Sequence, residues 1–157
     1  MKKVKLATEV ILAAYSILKG ANYQKMGDDD KIKLWKIARA LKPVATQFED
    51  DNKDAAEKLK PEGFDEKLQN AQEYERVTKD PNADTSNLKM GAAEHNEFIN
   101  GEWKKFNQLM AKAVDEFAKK EVKLEFEPLS EDAFAKLMAS NDWKVEQVMT
   151  VADLITA

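Results

Sequence analysis

Apolar residues recur at intervals of three and four positions over most of the chain, which is the pattern of amphipathic α-helices. The first such stretch begins near Thr8, and a longer one follows the acidic residues 28–30. Pro43 lies inside the longer stretch and predicts a kink or a break, because proline lacks the N–H that an α-helix uses. The apolar positions of the first stretch are Val10, Ile11, Ala14, Ile17, Leu18 and Ala21. Those of the longer stretch form a seam of two heptad repeats, namely Leu34, Ile37, Leu41, Val44 and Phe48.

Further helices are predicted in the second half of the chain. A short helix should cover residues 64–76, and a second long one residues 92–120. Between them, residues 79–88 lack periodicity and contain proline, asparagine, serine and threonine, which indicates a surface loop. Gly101 should weaken the second long helix locally by about 1 kcal/mol relative to alanine. The apolar seam of that helix comprises Ile99, Trp103, Phe106, Met110, Ala113 and Phe117. Matching seams predict that the two long helices form the core pair.

Two short segments alternate polar and apolar residues, which indicates β-strands. One lies at the N-terminus and the other covers residues 121–127. Neither can satisfy its backbone hydrogen bonds alone, so we expect them to pair with each other. This pairing should place Lys3 and Lys5 across from Glu125 and Glu127. The alternative is that one strand is completed by the edge strand of another molecule.

The last part of the chain predicts two more helices. Ser130 is a preferred N-cap residue and is followed by two acids, so a helix should begin there. Asn141 and Asp142 mark a turn, after which a final helical stretch runs towards the C-terminus. The apolar members of the two segments are Phe134, Leu137, Met138, Val145, Val148, Met149, Leu154 and Ile155.

These elements predict an α-dominant α+β fold, with five or six helices and a very small two-stranded sheet joining the N-terminus to residues 121–127. The chain has 157 residues, 43% of them hydrophobic and 34% charged, which suits a folded protein with a heavily charged surface. Its length predicts that residues 1–157 form a single helical domain.

Charge is distributed unevenly around a net value of −4. Residues 1–48 carry ten lysines and arginines against four acids, a net charge of +6. Residues 121–157 carry three against eight, a net charge of −5. The favoured interpretation is that the two ends meet and neutralise each other. The alternative is that they present two faces to two differently charged neighbours.

Composition and motifs argue against most kinds of catalytic site. The chain has no cysteine, which excludes thiolate chemistry and suits a cytoplasmic protein. No apolar run is long enough to span a bilayer, so we expect no membrane association. His95 is the only histidine and is interpreted as a surface residue near a helix start. Residues 28–30 lack the spacing of a calcium loop, and no glycine-rich phosphate loop occurs. We therefore expect no enzyme, no cofactor and no metal.

Two sets of charged residues are candidates for protein contacts. A basic run surrounds a tryptophan in the long second helix and suits phosphate groups. However, nearby acids and the negative net charge argue against nucleic acid. The favoured interpretation is a solvated face or pairing with the acidic C-terminal third. This set is Lys31, Trp35, Lys36 and Arg39. An acidic set, which would steer association with a basic partner, is Glu125, Glu127, Glu131 and Asp132.

The order of elements resembles that of a group of phage proteins. A Lys-Val-Lys-Leu strand leads into a helix, and a Lys-Ile-Lys-Leu-Trp-Lys-Ile-Ala-Arg-Ala-Leu-Lys-Pro-Val helix follows. Later come a helix ending in Phe-Ala-Lys-Lys and a Glu-Val-Lys-Leu-Glu-Phe-Glu-Pro-Leu-Ser strand. This layout is similar to that of small, uncharacterised tailed-bacteriophage and prophage proteins encoded near virion-structure genes. The acid-rich residues 49–54 and the loop at residues 79–88 depart from it, and no functional residue carries over.

The resemblance implies a non-enzymatic phage structural or assembly protein that acts through protein–protein contacts, in the host cytoplasm or in the virion. The alternative hypothesis is a free-standing acidic inhibitor of a host protein or nucleic-acid enzyme. A protein partner is expected under both hypotheses, and a homo-oligomer remains open. Replacing the acidic set by neutral residues should slow association if the alternative holds.

Overall fold

A computed structural model describes all 157 residues of the chain. Its elements are β1 (Lys2–Ala7), α1 (Thr8–Leu18), α2 (Asp28–Leu59), α3 (Phe64–Lys79), α4 (Ala92–Phe98), a π-helical turn (Ile99–Trp103), α5 (Lys104–Lys119), β2 (Glu121–Phe126), α6 (Glu131–Ala139) and α7 (Val145–Ile155). The α-dominant α+β prediction is confirmed. Since α4, the π-helical turn and α5 are continuous in sequence, they form one interrupted helix in place of the predicted second long helix. None of the helices combines the length and apolar character needed to cross a membrane.

The small sheet pairs β1 with β2, as predicted, and the two strands run antiparallel. Lys3 lies opposite Glu125. The expected partnership of Lys5 with Glu127 is wrong, because the strands run in opposite directions and Lys5 therefore faces Lys123. Lys5 instead forms an ion pair with Glu121, at 3.0 Å between Nζ and Oε2.

The chain is divided by its internal contacts into two compact units. The first unit contains Met1–Asp51 and Glu116–Ala157, and the second contains Asn52–Asp115. The first has the larger core, which is built from α1, α2, α6 and α7 together with the end of β2. Its most deeply buried side chains are Ile11, Ala14, Ile37, Leu41, Leu129, Leu137, Val151 and Ile155. The predicted seam of α2 is therefore confirmed from residue 34 to residue 44. The single-domain assignment stays a prediction.

The second unit has a small aromatic core. Phe64 lies at its centre, with ring centroids 5.5 Å from Phe98 and 4.7 Å from Phe106. Ala71 and Met90 are buried in the same cluster. Aromatic pairs at these separations stabilise a core beyond the apolar area they bury.

The two long helices differ from expectation. α2 continues through Pro43 without a break, although proline removes one backbone hydrogen bond. The second long helix widens into a π-helical turn around Gly101. No side chain of α5 is fully buried, and its apolar seam is at most half-buried. The core of the first unit is therefore formed by α2 with α1, α6 and α7, and not by the expected pair of long helices.

Contacts at the N-terminal strand connect it to several parts of the first unit. The Lys2 ammonium donates hydrogen bonds to the carbonyl oxygens of Asp153 and Thr156 at the end of α7. A cation there satisfies carbonyls that have no partner within the helix. Thr8 is buried, and its hydroxyl donates to the carbonyl oxygen of Lys120 at 2.7 Å.

Deleting residues 1–6 should lower the thermal stability of the isolated protein. The deletion removes the strand ladder and the Lys2 contacts, and it exposes the apolar side chains of β2. We expect Tm to fall by about 5 °C or more, since each kcal/mol shifts Tm by roughly 2–4 °C in a chain of this size. Circular dichroism melting is the measurement, with deletion of Met1 alone as the control. An unchanged Tm would support completion of the sheet by another molecule.

Candidate interaction surface

An exposed aromatic surface lies between the end of α1 and the start of α2. Trp35 is 57% exposed, and Tyr23 and Ile32 are also exposed. Together they border a groove of about 420 Å³. We call this the Trp35 surface. Its lining residues are Leu18, Lys19, Ala21, Tyr23, Lys31, Ile32, Leu34, Trp35 and Ala38.

Helix geometry explains why the aromatic residue is exposed. The core seam of α2 includes Leu34, Ile37 and Leu41. At 3.6 residues per turn, Ile32 and Trp35 lie on the side of the helix away from this seam. The exposed side chains of the Trp35 surface and the core seam therefore lie on different faces of the same helix, and Leu34 is the one residue of α2 that belongs to both the groove and the core.

Cations lie against the aromatic rings of the Trp35 surface. The Arg39 guanidinium carbon lies 5.1 Å from the centroid of the Trp35 ring. The Lys31 ammonium lies 5.8 Å from the centroid of the Tyr23 ring. At exposed sites such contacts are worth about 0.5–1 kcal/mol each. They hold the two positive charges beside apolar surface.

The basic set has almost no acidic partners within its own chain. No carboxylate lies within ion-pair distance of Lys31, Lys36 or Arg39. Lys33, which lies in the same part of α2, forms an ion pair with Glu127 at 3.4 Å between Nζ and Oε1. The predicted pairing with the acidic C-terminal third is thus limited to that contact, and the other charges remain available to a partner.

The acidic set is distributed over β2 and α6. Glu125 faces Lys3 across the sheet, and Glu127 pairs with Lys33. Glu131 and Asp132 occupy the first turn of α6, which the Ser130 hydroxyl caps by accepting a hydrogen bond from the Ala133 N–H at 3.1 Å. Asp132 also lies 3.6 Å from the Lys136 ammonium. The structure therefore does not gather the basic and acidic sets into one site.

A second exposed apolar surface, which the spacing of apolar residues does not reveal, lies between α1 and α7. Met149 is 68% exposed, and Val10 and Val145 are exposed as well. The helical spacing placed Val10 in a buried stripe, but the structure places it at the edge of a groove of about 580 Å³. We call this the Met149 surface. Its groove is lined by Val4, Leu6, Glu9, Val10, Ala13, Met149, Thr150, Asp153 and Leu154.

Polar contacts inside the second unit involve the single histidine. His95 is 16% exposed at its side chain, so the interpretation as a surface histidine is wrong. Its Nε2 donates to Glu75 Oε1 at 2.9 Å, and its ring centroid lies 4.7 Å from that of Tyr74. These contacts join α3 to α4, a tertiary packing that local spacing does not reveal.

The π-helical turn carries a second polar contact in this unit. Glu102 Oε1 accepts a hydrogen bond from the Lys67 ammonium at 2.9 Å, while its Oε2 is buried without a partner. Both residues line a cavity of about 370 Å³. π-helical turns occur often at functional sites. However, the structure contains no group of three or more histidine and acidic side chains placed to hold a metal ion.

Shifted pKa values occur at two carboxylates of the second unit. A hydrogen bond from Arg76 lowers the pKa of the Glu73 carboxyl, and hydrogen bonds from the Ser86 side chain and backbone lower that of Asp84. Both residues are exposed, so solvent screens these interactions. Neither residue lines the Trp35 or the Met149 groove.

Comparison of the chain with protein-family models, curated proteins and solved structures finds no match.

Replacing Trp35 by alanine should change stability far less than replacing a residue of the core seam. Because Trp35 is exposed, Trp35→Ala should lower the free energy of unfolding by about 1 kcal/mol or less, mainly by removing the contact with Arg39. Leu41→Ala leaves a cavity at a fully buried site and should lower the free energy of unfolding by about 2–5 kcal/mol. Urea unfolding followed by circular dichroism compares the two variants. Equal losses would show that Trp35 serves the fold and not a binding surface.

Proposed function

We propose that the protein binds another protein through the Trp35 surface and has no catalytic role. The observation that supports this is an exposed aromatic and apolar centre whose neighbouring cations lack acidic partners. Tryptophan, tyrosine and arginine are the side chains most enriched among residues that dominate binding energy at interfaces. Given the resemblance to phage proteins, we propose that the partner is a component of a phage particle or of its assembly machinery.

Electrostatics favour a protein partner over nucleic acid. Nucleic-acid-binding domains are commonly basic overall, whereas this chain has a sequence pI of about 5.2. The acidic residues 28–30 form the first turn of the helix that carries Trp35. They would repel a phosphate backbone approaching along α2.

The Trp35 surface suggests the chemistry of its partner. Lys19 and Lys31 line the groove, and no acid does. An apolar side chain flanked by carboxylates would fill the groove and meet the surrounding cations. Such complementarity raises the association rate and selects against partners with a basic surface.

The alternative of an acidic inhibitor receives less support from the geometry. Glu127 and Asp132 each have a lysine partner within the chain, and Glu125 faces Lys3. These contacts reduce the negative charge that the acidic set offers to a basic host site. We therefore retain the Trp35 surface as the proposed binding site.

The partner that co-purifies with the protein from producing cells should be lost when the Trp35 surface is altered. We expect wild type to retain it at fixed stoichiometry, in purified particles or in an affinity preparation. The double variant Trp35→Ala/Arg39→Ala should lose about 30-fold or more in affinity, as for a hot spot worth roughly 2 kcal/mol or more. Quantitative mass spectrometry measures retention, and Lys53→Ala, an exposed lysine on the same helix, is the control. Undiminished retention by the double variant would contradict the proposal.

Charge neutralisation should separate the two functional hypotheses. Replacing Lys31 and Lys36 by glutamine should slow association with the identified partner at low salt, and the difference should shrink as salt screens the charges. Stopped-flow or surface-plasmon measurements of the association rate provide the test. Neutralisation of the acidic set should leave that rate unchanged, and a slower rate there would favour the inhibitor. That set is Glu125, Glu127, Glu131 and Asp132.

A further inference from the structure

The two exposed apolar surfaces of the first unit have borders of opposite charge. The Trp35 groove is lined by cations and no acid, and the Met149 groove by acids and no cation. The two grooves share no residue. We propose that the Trp35 surface of one copy binds the Met149 surface of a second copy, so that the chain associates head to tail with itself. This inference rests on the proposed function, because it names the partner of the Trp35 surface.

The negative charge of the Met149 surface is available to a partner. Glu9 and Asp153 line its groove, and neither side chain lies within ion-pair distance of a cation. Lys2 lies nearby, but its ammonium donates to backbone carbonyl oxygens at the end of α7. Glu146 is one turn before Thr150 on the same helix, and helical spacing places it beside Met149. Three carboxylates therefore surround an exposed apolar side chain.

The Trp35 surface has the matching properties. Lys19 and Lys31 line the groove, Arg39 lies against the Trp35 ring, and the acidic residues 28–30 do not line it. Met149 is a flexible apolar side chain, and its thioether makes favourable contacts with aromatic rings. Its insertion beside Trp35 would bring the carboxylates that surround it towards the cations of the groove.

Charge also determines the geometry of the association. A symmetric contact of either surface with its own counterpart would oppose like charges, which disfavours it. A single contact between unlike surfaces leaves one Trp35 surface and one Met149 surface free. These two surfaces can bind each other, which closes a two-fold dimer, or they can bind further copies, which gives a larger ring or a filament.

Complementation between two surface variants tests the inference directly. Trp35→Glu disrupts one surface and Met149→Lys the other, while each variant keeps the opposite surface intact. Sedimentation velocity from about 1 µM to about 1 mM spans the affinities of weak to moderate association. Wild type should form dimers or larger species, and each variant alone should be monomeric. An equimolar mixture should form a 1:1 heterodimer that does not grow, because one functional pair of surfaces remains.

Controls make the outcomes decisive. Lys53→Glu, an exposed charge reversal in the second unit, should assemble like wild type, and unchanged melting curves should show that each variant folds. Raising the salt concentration should weaken wild-type association. Wild type that stays monomeric at about 1 mM, or a single variant that still assembles, overturns the inference. Loss of a co-purifying foreign protein in Trp35→Ala/Arg39→Ala would still support the proposed function in that case, so the two failures are distinguishable.

Discussion

The pairing of β1 with β2 is the interaction on which the first unit depends. Its two segments, 1–51 and 116–157, are separated by the whole second unit in sequence. Closing so long a loop costs conformational entropy, which the strand ladder and the core must offset. The antiparallel pairing satisfies backbone groups that neither strand satisfies alone. Lys2 and Thr8 extend the connection to the end of α7 and to the residue before β2.

Features with a local cause could be predicted from the sequence. Alternation identified both strands, and the heptad seam identified the buried face of α2, because side-chain direction follows directly from backbone period. Ser130 was identified as a helix cap because its chemistry acts within one turn. The predicted register of the sheet was correct at Lys3 and wrong at Lys5. Opposite charges made the second pairing attractive, but antiparallel geometry excluded it.

Features that depend on tertiary packing could not be predicted in this way. Val10 and Met149 have the spacing of buried helix residues, yet no other element covers them. His95 was assigned to the surface because its partners, Glu75 and Tyr74, lie about twenty residues earlier on another helix. For the candidate site, the basic run around Trp35 was visible in the sequence. The groove beside it was not, because it also requires the end of α1 and Tyr23.

The uneven charge of the chain connects the fold with the proposed association. Part of the imbalance is neutralised internally, through Lys5 with Glu121 and Lys33 with Glu127. The cations of the Trp35 surface and the acids of the Met149 surface take no part in this neutralisation, and they border the apolar areas that the fold leaves exposed. Each of the two surfaces thus combines exposed apolar area with unpaired charge, which is positive at the Trp35 surface and negative at the Met149 surface. Contact between two copies would bury the exposed apolar area. It would also pair opposite charges between two molecules, as Lys5 with Glu121 and Lys33 with Glu127 already do within one chain.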